Sequence, residues 1–235
     1  MEQKVLNVAL SYEGTTYDKN NNIPFVTAYY GKPMNSKVAY CCIFVWYILD
    51  RLGLSKAFYG GKKTASCTTL LKYCKSNKDI VVHTDIDRCI PGRTLVFYNF
   101  KNNGKANHIG IFHSKSVVSK HFYAIEGNTS GPLGSQDNGG YVMKKHRSLS
   151  KVMAFATLDY GQTCPFEEPT TTVAKGSKGN DAGWVQWQLN RKSYYCDIDQ
   201  SIGSASEKVI KKFQAANKLE VDGRVGKATR AALKS

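Results

Sequence analysis

The chain has no apolar stretch long enough to cross a membrane. Its main apolar run, Cys41 to Leu49, is nine residues, about half of the ~20 that a bilayer-spanning helix needs. No membrane insertion is expected. The opening MEQKVLNVALSYEG has neither an apolar h-region nor a small-residue cleavage site, so no signal peptide is expected and the product is read as made in the cytoplasm. The seven cysteines (Cys41, Cys42, Cys67, Cys74, Cys89, Cys164 and Cys196) contain no CxxC spacing, and two are adjacent. That is a poor start for a disulfide framework or a structural zinc site. They are read as reduced, with no metal and no cofactor. No basic heptad region or C₂H₂ pattern is present, so no nucleic acid is expected as partner despite a formal net charge of +15. Such a charge names only a class of partner, the polyanions, and its plainest reading is solubility.

What is present is an ordinary globular composition, 42% hydrophobic and 22% charged, over 235 residues. That allows one large domain or two smaller ones with real cores. Residues 1–160 carry 21 Lys and Arg against 10 Asp and Glu, and residues 161–235 carry 12 against 8, so most of the surplus lies in the first part. Helical patterns come first: Lys4–Tyr12, Phe25–Tyr30, Val38–Gly53 and Cys67–Lys75. After Asn77 the texture becomes short, β-branched and aromatic: DIVVHTDID, RTLVFYNF, HIGIFHS, HFYAIEG and KVMAFATLDY. Helices followed by strands predict an α+β domain with an antiparallel sheet. Gly127–Gly140 reads as a long surface loop. Asp18, Asn20 and Asn22 alternate like the start of a calcium loop, but the later Gly and closing Glu are missing. Calcium and an ordinary Asn-rich turn both stay open there.

GQTCPFEEPTTTVAKGSKGN, from Gly161, has little to bury and reads as a linker. The expected division is 1–160, a linker at 161–174, and 175–235. The tail holds an internal repeat. DQSIGSASEKVI (Asp199–Ile210) matches DGRVGKATRAAL (Asp222–Leu233) at a constant offset of 23. A repeated turn-into-helix unit predicts a small helical bundle. Ser204 and Glu207 have capping-box spacing.

The chain is organised around VAYCCIFVWYILDRLG, Val38–Gly53, read as a helix buried on most sides. Cys41 and Cys42 stand at its front. A cysteine in a first helical turn feels the positive end of the dipole and the free N–H groups, which favour thiolate. The bland alternative is two small buried hydrophobes. A thiolate nucleophile needs a base, and the base an orienter. If HIGIFHS and HFYAIEG form a hairpin centred on Val117, His108 lies opposite Glu126, with Asn128 on the same face two residues on. His113 is an odd number of residues from His108 and faces the other way. Nucleophile, base and orienter are then all available.

AYCCIFVWYIL resembles the "[WY]-C-x-x-F-V" signature of CHAP domains, the cysteine, histidine-dependent amidohydrolase/peptidases. NHIGIF and AIEGN resemble the strands carrying that family's histidine and acid. PGRTLVFY resembles its "PGD[IL]VFF", with Arg93 in place of the acid. The resemblance covers residues 1–160 and implies a papain-like fold, with helices packed on an antiparallel sheet. It implies Cys41 as nucleophile, His108 as base, Glu126 as orienting acid and Asn128 as a supporting polar residue. Cys42 stands where the family usually has a small residue. FQAANKLEVDGRVGKATRAAL resembles the three-helix peptidoglycan-binding module, though Gln200 and Ser206 of the first repeat replace its usual Gly and Thr. Trp184 and Trp187 could stack on sugar rings or be buried.

Together the two resemblances imply an endolysin of a phage or prophage. Its partner would be bacterial cell-wall peptidoglycan, and release from the cytoplasm to the host wall would need a holin. The implied reaction is amide hydrolysis through a thioester, by an N-acetylmuramoyl-L-alanine amidase or a stem or cross-bridge endopeptidase. A bacterial autolysin of the same chemistry and a non-catalytic wall-binding protein are the rivals.

Overall fold

A computed structural model describes residues 1–131 and 140–235. The chain divides into two compact units, Met1–Tyr160 and Gly161–Ser235.

The first unit begins with five helices: α1 (Glu2–Leu10), α2 (Pro24–Tyr30), α3 (Cys41–Arg51), α4 (Ser55–Tyr59) and α5 (Cys67–Ser76). Six strands follow: β1 (Val81–His83), β2 (Thr94–Tyr98), β3 (His108–Lys115), β4 (His121–Thr129), β5 (Tyr141–Ser148) and β6 (Val152–Thr157). They form one sheet in the order β1-β6-β2-β3-β4-β5, with every pairing antiparallel. Alternate residues divide between its faces, as the two-residue period of a strand requires. Leu95, Phe97, Ile109, Ile111, Ile125, Ala154 and Ala156 join the core built with α1, α2, α3 and α5. Val96, Tyr98, Phe112, Phe122, Ala124 and Phe155 form a second cluster on the other face.

Eight of the residues of α3 are buried, Cys41 to Trp46 together with Ile48 and Leu49. An element apolar on nearly every side can only be central. It packs on β3 and β4. Gly53, at φ 71°, ends it in the left-handed region where a side chain would be strained. The approach of α3 to the sheet is close at Gly127, where a Cβ would come within 2.5 Å of Phe44 Cβ.

Two elements were not expected from the sequence. α4 occupies the stretch ahead of Gly60, and β5 lies where charged residues obscure the pattern. The expected loop 127–140 begins later, because Gly127–Thr129 complete β4; its residues 132–139 lie outside those described. The Asp18 turn folds on itself, its carboxylate accepting from the backbone N–H of Asn20 and Asn22, both at 2.8 Å.

The second unit holds α6 (Asn180–Arg191), α7 (Ser204–Ala216) and α8 (Lys227–Lys234). Val173, Trp184, Val185, Leu189, Ile202, Ile210, Phe213, Val225 and Leu233 are buried in its core. The sequence repeat reappears as a repeated hydrogen-bond unit. Gln186 Nε2 donates to Asp199 Oδ1, Ser201 O and Ser206 Oγ, and Gln186 Oε1 accepts from Gln200 N. Gln214 does the same with Asp222, Arg224, Thr229 and Gly223. The turn residues Gln200 and Gly223 take φ of 56° and 75°, so the first repeat places a glutamine where the second has the unstrained glycine.

Two expectations need correction here. The capping box does not form: Gly203 is the N-cap of α7 and no side chain caps it. Glu207 instead turns to Lys211 Nζ, 2.9 Å away, and Lys175 Nζ, 3.5 Å away. The stretch 161–174 is not all free chain. Val173 is buried and pairs with Val225 through two backbone hydrogen bonds. Cys164 and Phe166 pack against the core, and the Phe166 ring fills the space beside Gly183, where a Cβ would approach to 2.7 Å. Its prolines and threonines masked these few apolar contacts.

Candidate active site

Three elements of the first unit converge. Cys41 is the first residue of α3, and no side chain caps that helix among the described residues. Its first-turn N–H groups therefore lack the side-chain acceptor that usually occupies them. The N-cap residue Tyr40 is fully buried, and its hydroxyl donates to Gly140 O at 2.6 Å. His108 is the first residue of β3 and lies beside Tyr98 of β2. Its imidazole Nε2 bonds Glu126 Oε2 at 2.9 Å, which leaves Nδ1 as the ring nitrogen for another partner. Cys41, at the start of α3, is near enough for each of the two residues to shift the other's titration.

The register of the β3–β4 hairpin differs from the expected one. Pairing runs Lys115↔Phe122 near the turn, then shifts at a bulge around His113 to Ile111↔Ile125. Carried back, this register sets Gly110 beside Glu126 and His108 two residues further on. The displacement is even, so His108 and Glu126 keep a common face. Glu126 reaches His108 by crossing Gly110: a Cβ there would stand 2.7 Å from Glu126 Cγ.

Glu126 is fully buried, and it is held from the far side by a residue that sequence reasoning missed. Arg147, on β5, donates from Nε to Glu126 Oε1 at 2.9 Å and from Nη2 to Oε2 at 2.5 Å. Nη2 also donates to Thr129 Oγ1 at 3.0 Å. The guanidinium lies over the Phe100 and Tyr98 rings, 5.1 and 5.9 Å from their centres. The same two rings flank the His108 imidazole at 5.5 and 5.7 Å.

Burial alone would lift the Glu126 carboxyl, but the Arg147 hydrogen bonds and the His108 charge outweigh it and bring it down to about 2. Burial alone would lower His108. Attraction to Glu126 and the hydrogen bonds with Cys41 and Glu126 outweigh that and raise it to about 9. Cys41 departs from the expectation drawn from its helix-start position. The hydrogen-bonded Cys67 sulfur, 3.6 Å from its own, and its burial push the thiol well above its ordinary value, and the pull of His108 does not reverse this. The thiol is therefore a nucleophile only once its proton has moved, and His108 is placed to accept it.

Asn128 does not join this set. It takes a left-handed backbone, φ 53°, where the β4–β5 register breaks between Glu126 and Thr129. Among the described residues its side chain makes no hydrogen bond to His108 or Glu126. The side chain that bonds Glu126 from this side is Arg147. Arg93 is structural, donating to Leu158 O at 2.6 Å and pairing with Asp159 at 3.3 Å. Cys42 is more deeply buried than Cys41. Of the two candidate sugar-stacking residues in the second unit, Trp184 lies in the core and presents no ring face to a ligand. Trp187 is half-buried with its indole N–H enclosed and unbonded. Among the described residues no group of three or more His, Cys, Asp or Glu is placed to hold a metal ion, and no helix is long and apolar enough to cross a membrane.

The first unit is thus a mixed α+β structure around a Cys–His–Glu–Arg cluster, and the second is helical. Residues 178–233 match the family described as putative peptidoglycan binding domain. No curated protein matches the chain. Among solved structures, a crystal structure of Ly7917 is 15% identical, with a TM-score of 0.40, over 68% of this chain and 63% of that one. A crystal structure of Ly7917 with the hydrolyzing product of MDP is 14% identical, with a TM-score of 0.38, over 75% and 69%. A periplasmic domain of the EpsAB fusion protein of the Vibrio vulnificus type II secretion system is 11% identical, with a TM-score of 0.28. These likenesses are too distant to bear on function.

Proposed function

We propose that the protein is a cysteine-dependent peptidoglycan hydrolase of the endolysin type, with a papain-like CHAP domain in its first unit. The observation that carries the reading is the buried His108, held by Glu126 at 2.9 Å through Nε2, with Cys41 at the start of α3 near enough for thiol and imidazole to shift each other's titration. The match of residues 178–233 to a peptidoglycan-binding family directs that chemistry to the cell wall.

In this mechanism His108 Nδ1 takes the Cys41 proton as the sulfur attacks an amide carbonyl of the wall peptide. The oxyanion is met by backbone N–H groups at the start of α3. The imidazolium then protonates the leaving amine, and the neutral imidazole activates water against the thioester. Proton transfer from Cys41 to His108 creates a thiolate and an imidazolium, and the Glu126 carboxylate, itself held by Arg147, stabilises the imidazolium. The enzyme is made in the cytoplasm and reaches the wall of its host when a holin opens the membrane.

Zymography on cell-wall gels, with mass spectrometry of the digested peptidoglycan, tests this. New N-termini on L-alanine identify an amidase, and new N-termini within the stem or cross-bridge identify an endopeptidase. Cys41→Ala should lose all hydrolysis while keeping its circular dichroism spectrum and its binding to walls. Cys42→Ala should keep substantial activity. Clearing by Cys41→Ala equal to that of the unaltered chain would refute the reading.

A further inference from the structure

Cys67 is the first residue of α5, so two helices begin with their leading sulfurs 3.6 Å apart. They lie 26 positions apart in sequence, on separate elements. Both are nearly buried, Cys41 5% exposed and Cys67 6%. The amide hydrolysis proposed above has no use for a second thiol. Most buried cysteines are small hydrophobes, yet Cys74 and Cys89 illustrate that role here without any sulfur partner being found for them among the described residues. Among the described cysteines, Cys67 is the one whose sulfur lies within hydrogen-bonding distance of the Cys41 sulfur.

Resting on that reading, we infer that Cys67 is a resolving cysteine, which captures oxidised Cys41 as a reversible disulfide and so protects the nucleophile from irreversible oxidation by peroxide. A disulfide has S–S of about 2.05 Å, so the sulfurs, 3.6 Å apart, must close by roughly 1.5 Å. His108 takes the Cys41 proton, and the thiolate attacks one oxygen of hydrogen peroxide. An S–O bond forms, the O–O bond breaks, and the departing hydroxide collects a proton to leave as water. Cys41 is now a sulfenic acid, oxidised by two electrons while the peroxide is reduced. The Cys67 sulfur then attacks the Cys41 sulfur. The S–S bond forms, the S–O bond breaks, and hydroxide leaves with the Cys67 proton as a second water. Two thiols and one peroxide give one disulfide and two waters. A dithiol reductant reverses the step by thiol–disulfide exchange. Without Cys67 the sulfenic acid waits for more peroxide and proceeds to sulfinic acid, which such a reductant does not restore.

The test uses the full chain, with Cys42→Ala as background so that a peptide linked through residue 41 is unambiguous. The chain is treated with hydrogen peroxide, its remaining thiols are alkylated, and it is digested and mapped by mass spectrometry. Wall hydrolysis is measured before treatment, after it, and after dithiothreitol. The expected result is a linked Cys41–Cys67 peptide, activity reduced at least tenfold by peroxide, and recovery of most of it with dithiothreitol. Cys67→Ser in the same background should still hydrolyse walls before treatment, lose activity to peroxide, and fail to recover, with sulfinic acid found at residue 41. Absence of the linked peptide, or equal recovery with and without Cys67, overturns the inference. A linked peptide in a chain inactive on walls from the outset would leave the pairing standing and remove the hydrolase reading instead.

Discussion

At the scale of single residues, the site is a chain of charge compensation ending at a thiol. Arg147 neutralises Glu126, Glu126 raises His108, and His108 draws the proton of Cys41. Because His108 lies near 9 and Cys41 is pushed well above its ordinary value, at neutral pH the cluster carries one proton more than the proposed reaction needs. Loss of that proton belongs to the coupled pair. Wall hydrolysis should therefore rise from pH 6 toward pH 9, and a rate flat between pH 6 and 8 would contradict this ordering. Stability runs the other way. The His108 contribution is complete below its ordinary value of 6.5 and is lost as pH rises through about 9. The Glu126 contribution is complete above its ordinary 4.5 and is lost as pH falls through about 2. Both are at full strength between about 4.5 and 6.5, so the urea midpoint of the first unit should be highest in that window. Arg147→Met tests the start of the chain. It leaves a buried carboxylate without its counter-ion, which typically costs about 3–5 kcal/mol. The carboxyl should then take up a proton more readily, and His108 should fall with it. The expected outcome is a large loss in urea midpoint together with an activity profile moved to lower pH. A midpoint unchanged within about 0.5 kcal/mol would show that the guanidinium does not hold Glu126.

At the scale of elements, the glycine in β3 is as much a part of the site as the charges. Gly110→Ala would place a Cβ 2.7 Å from Glu126 Cγ, so the carboxylate must move off His108. Displacements of about 1 Å can cost 10²-fold in rate. The variant should fold, with kcat down by about that factor and its pH profile shifted toward that of an unassisted histidine. A lower rate with an unmoved profile would mean that the glycine serves only packing. The sequence made much of this architecture legible. The order of helices and strands, α3 with its leading cysteine, and the common face of His108 and Glu126 all follow from apolar periods of 3.6 and 2. The register was missed because the hairpin turns later than Val117, putting the pairing three residues off near the turn, and a bulge at His113, which leaves no trace in an alternating pattern, takes one back; the net shift of two is silent with respect to face. Arg147 was missed for a different reason. In YVMKKHRS only Val142 and Arg147 are buried, so an edge strand rich in Lys, as edge strands often are, hides its one buried charge among others that are exposed or half-buried. The depressed thiol expected at a helix start was overridden by Cys67, whose nearness to Cys41 depends on how α5 packs and cannot be read from spacing.

At the scale of the whole molecule, two units with separate cores share one chain, and the boundary between them decides which fragments survive. Composition sets the start of the second unit near residue 175, but packing places it earlier. Val173 is buried and exchanges two backbone hydrogen bonds with Val225, at 3.3 and 2.7 Å. Gly176 N and Ile202 N bond across to Ile202 O and Ser177 O, so residues 173–177 engage the turn of each repeat in succession. Burying a valine contributes about 1.5–3 kcal/mol, and Phe166 against Gly183 adds to it. A domain of this size loses about 4–8 °C of Tm per kcal/mol. A fragment 161–235 should therefore melt about 10–20 °C above a fragment 175–235, as read by circular dichroism. Identical melting of the two would return 161–174 to the status of a free tether. The longer fragment should bind peptidoglycan and cut nothing. Its surplus of 12 Lys and Arg over 8 Asp and Glu is small, so much of that binding should persist at 1 M salt, where the Debye length is about 3 Å. The fragment 1–160 contains Cys41, His108, Glu126 and Arg147 together, and it should cleave soluble wall fragments about as fast as the full chain. On intact cells it should be slower, since it lacks the unit that raises its local concentration at the wall. Equal rates on intact cells would assign wall attachment to the strongly basic first unit and leave the helical unit without a part in it.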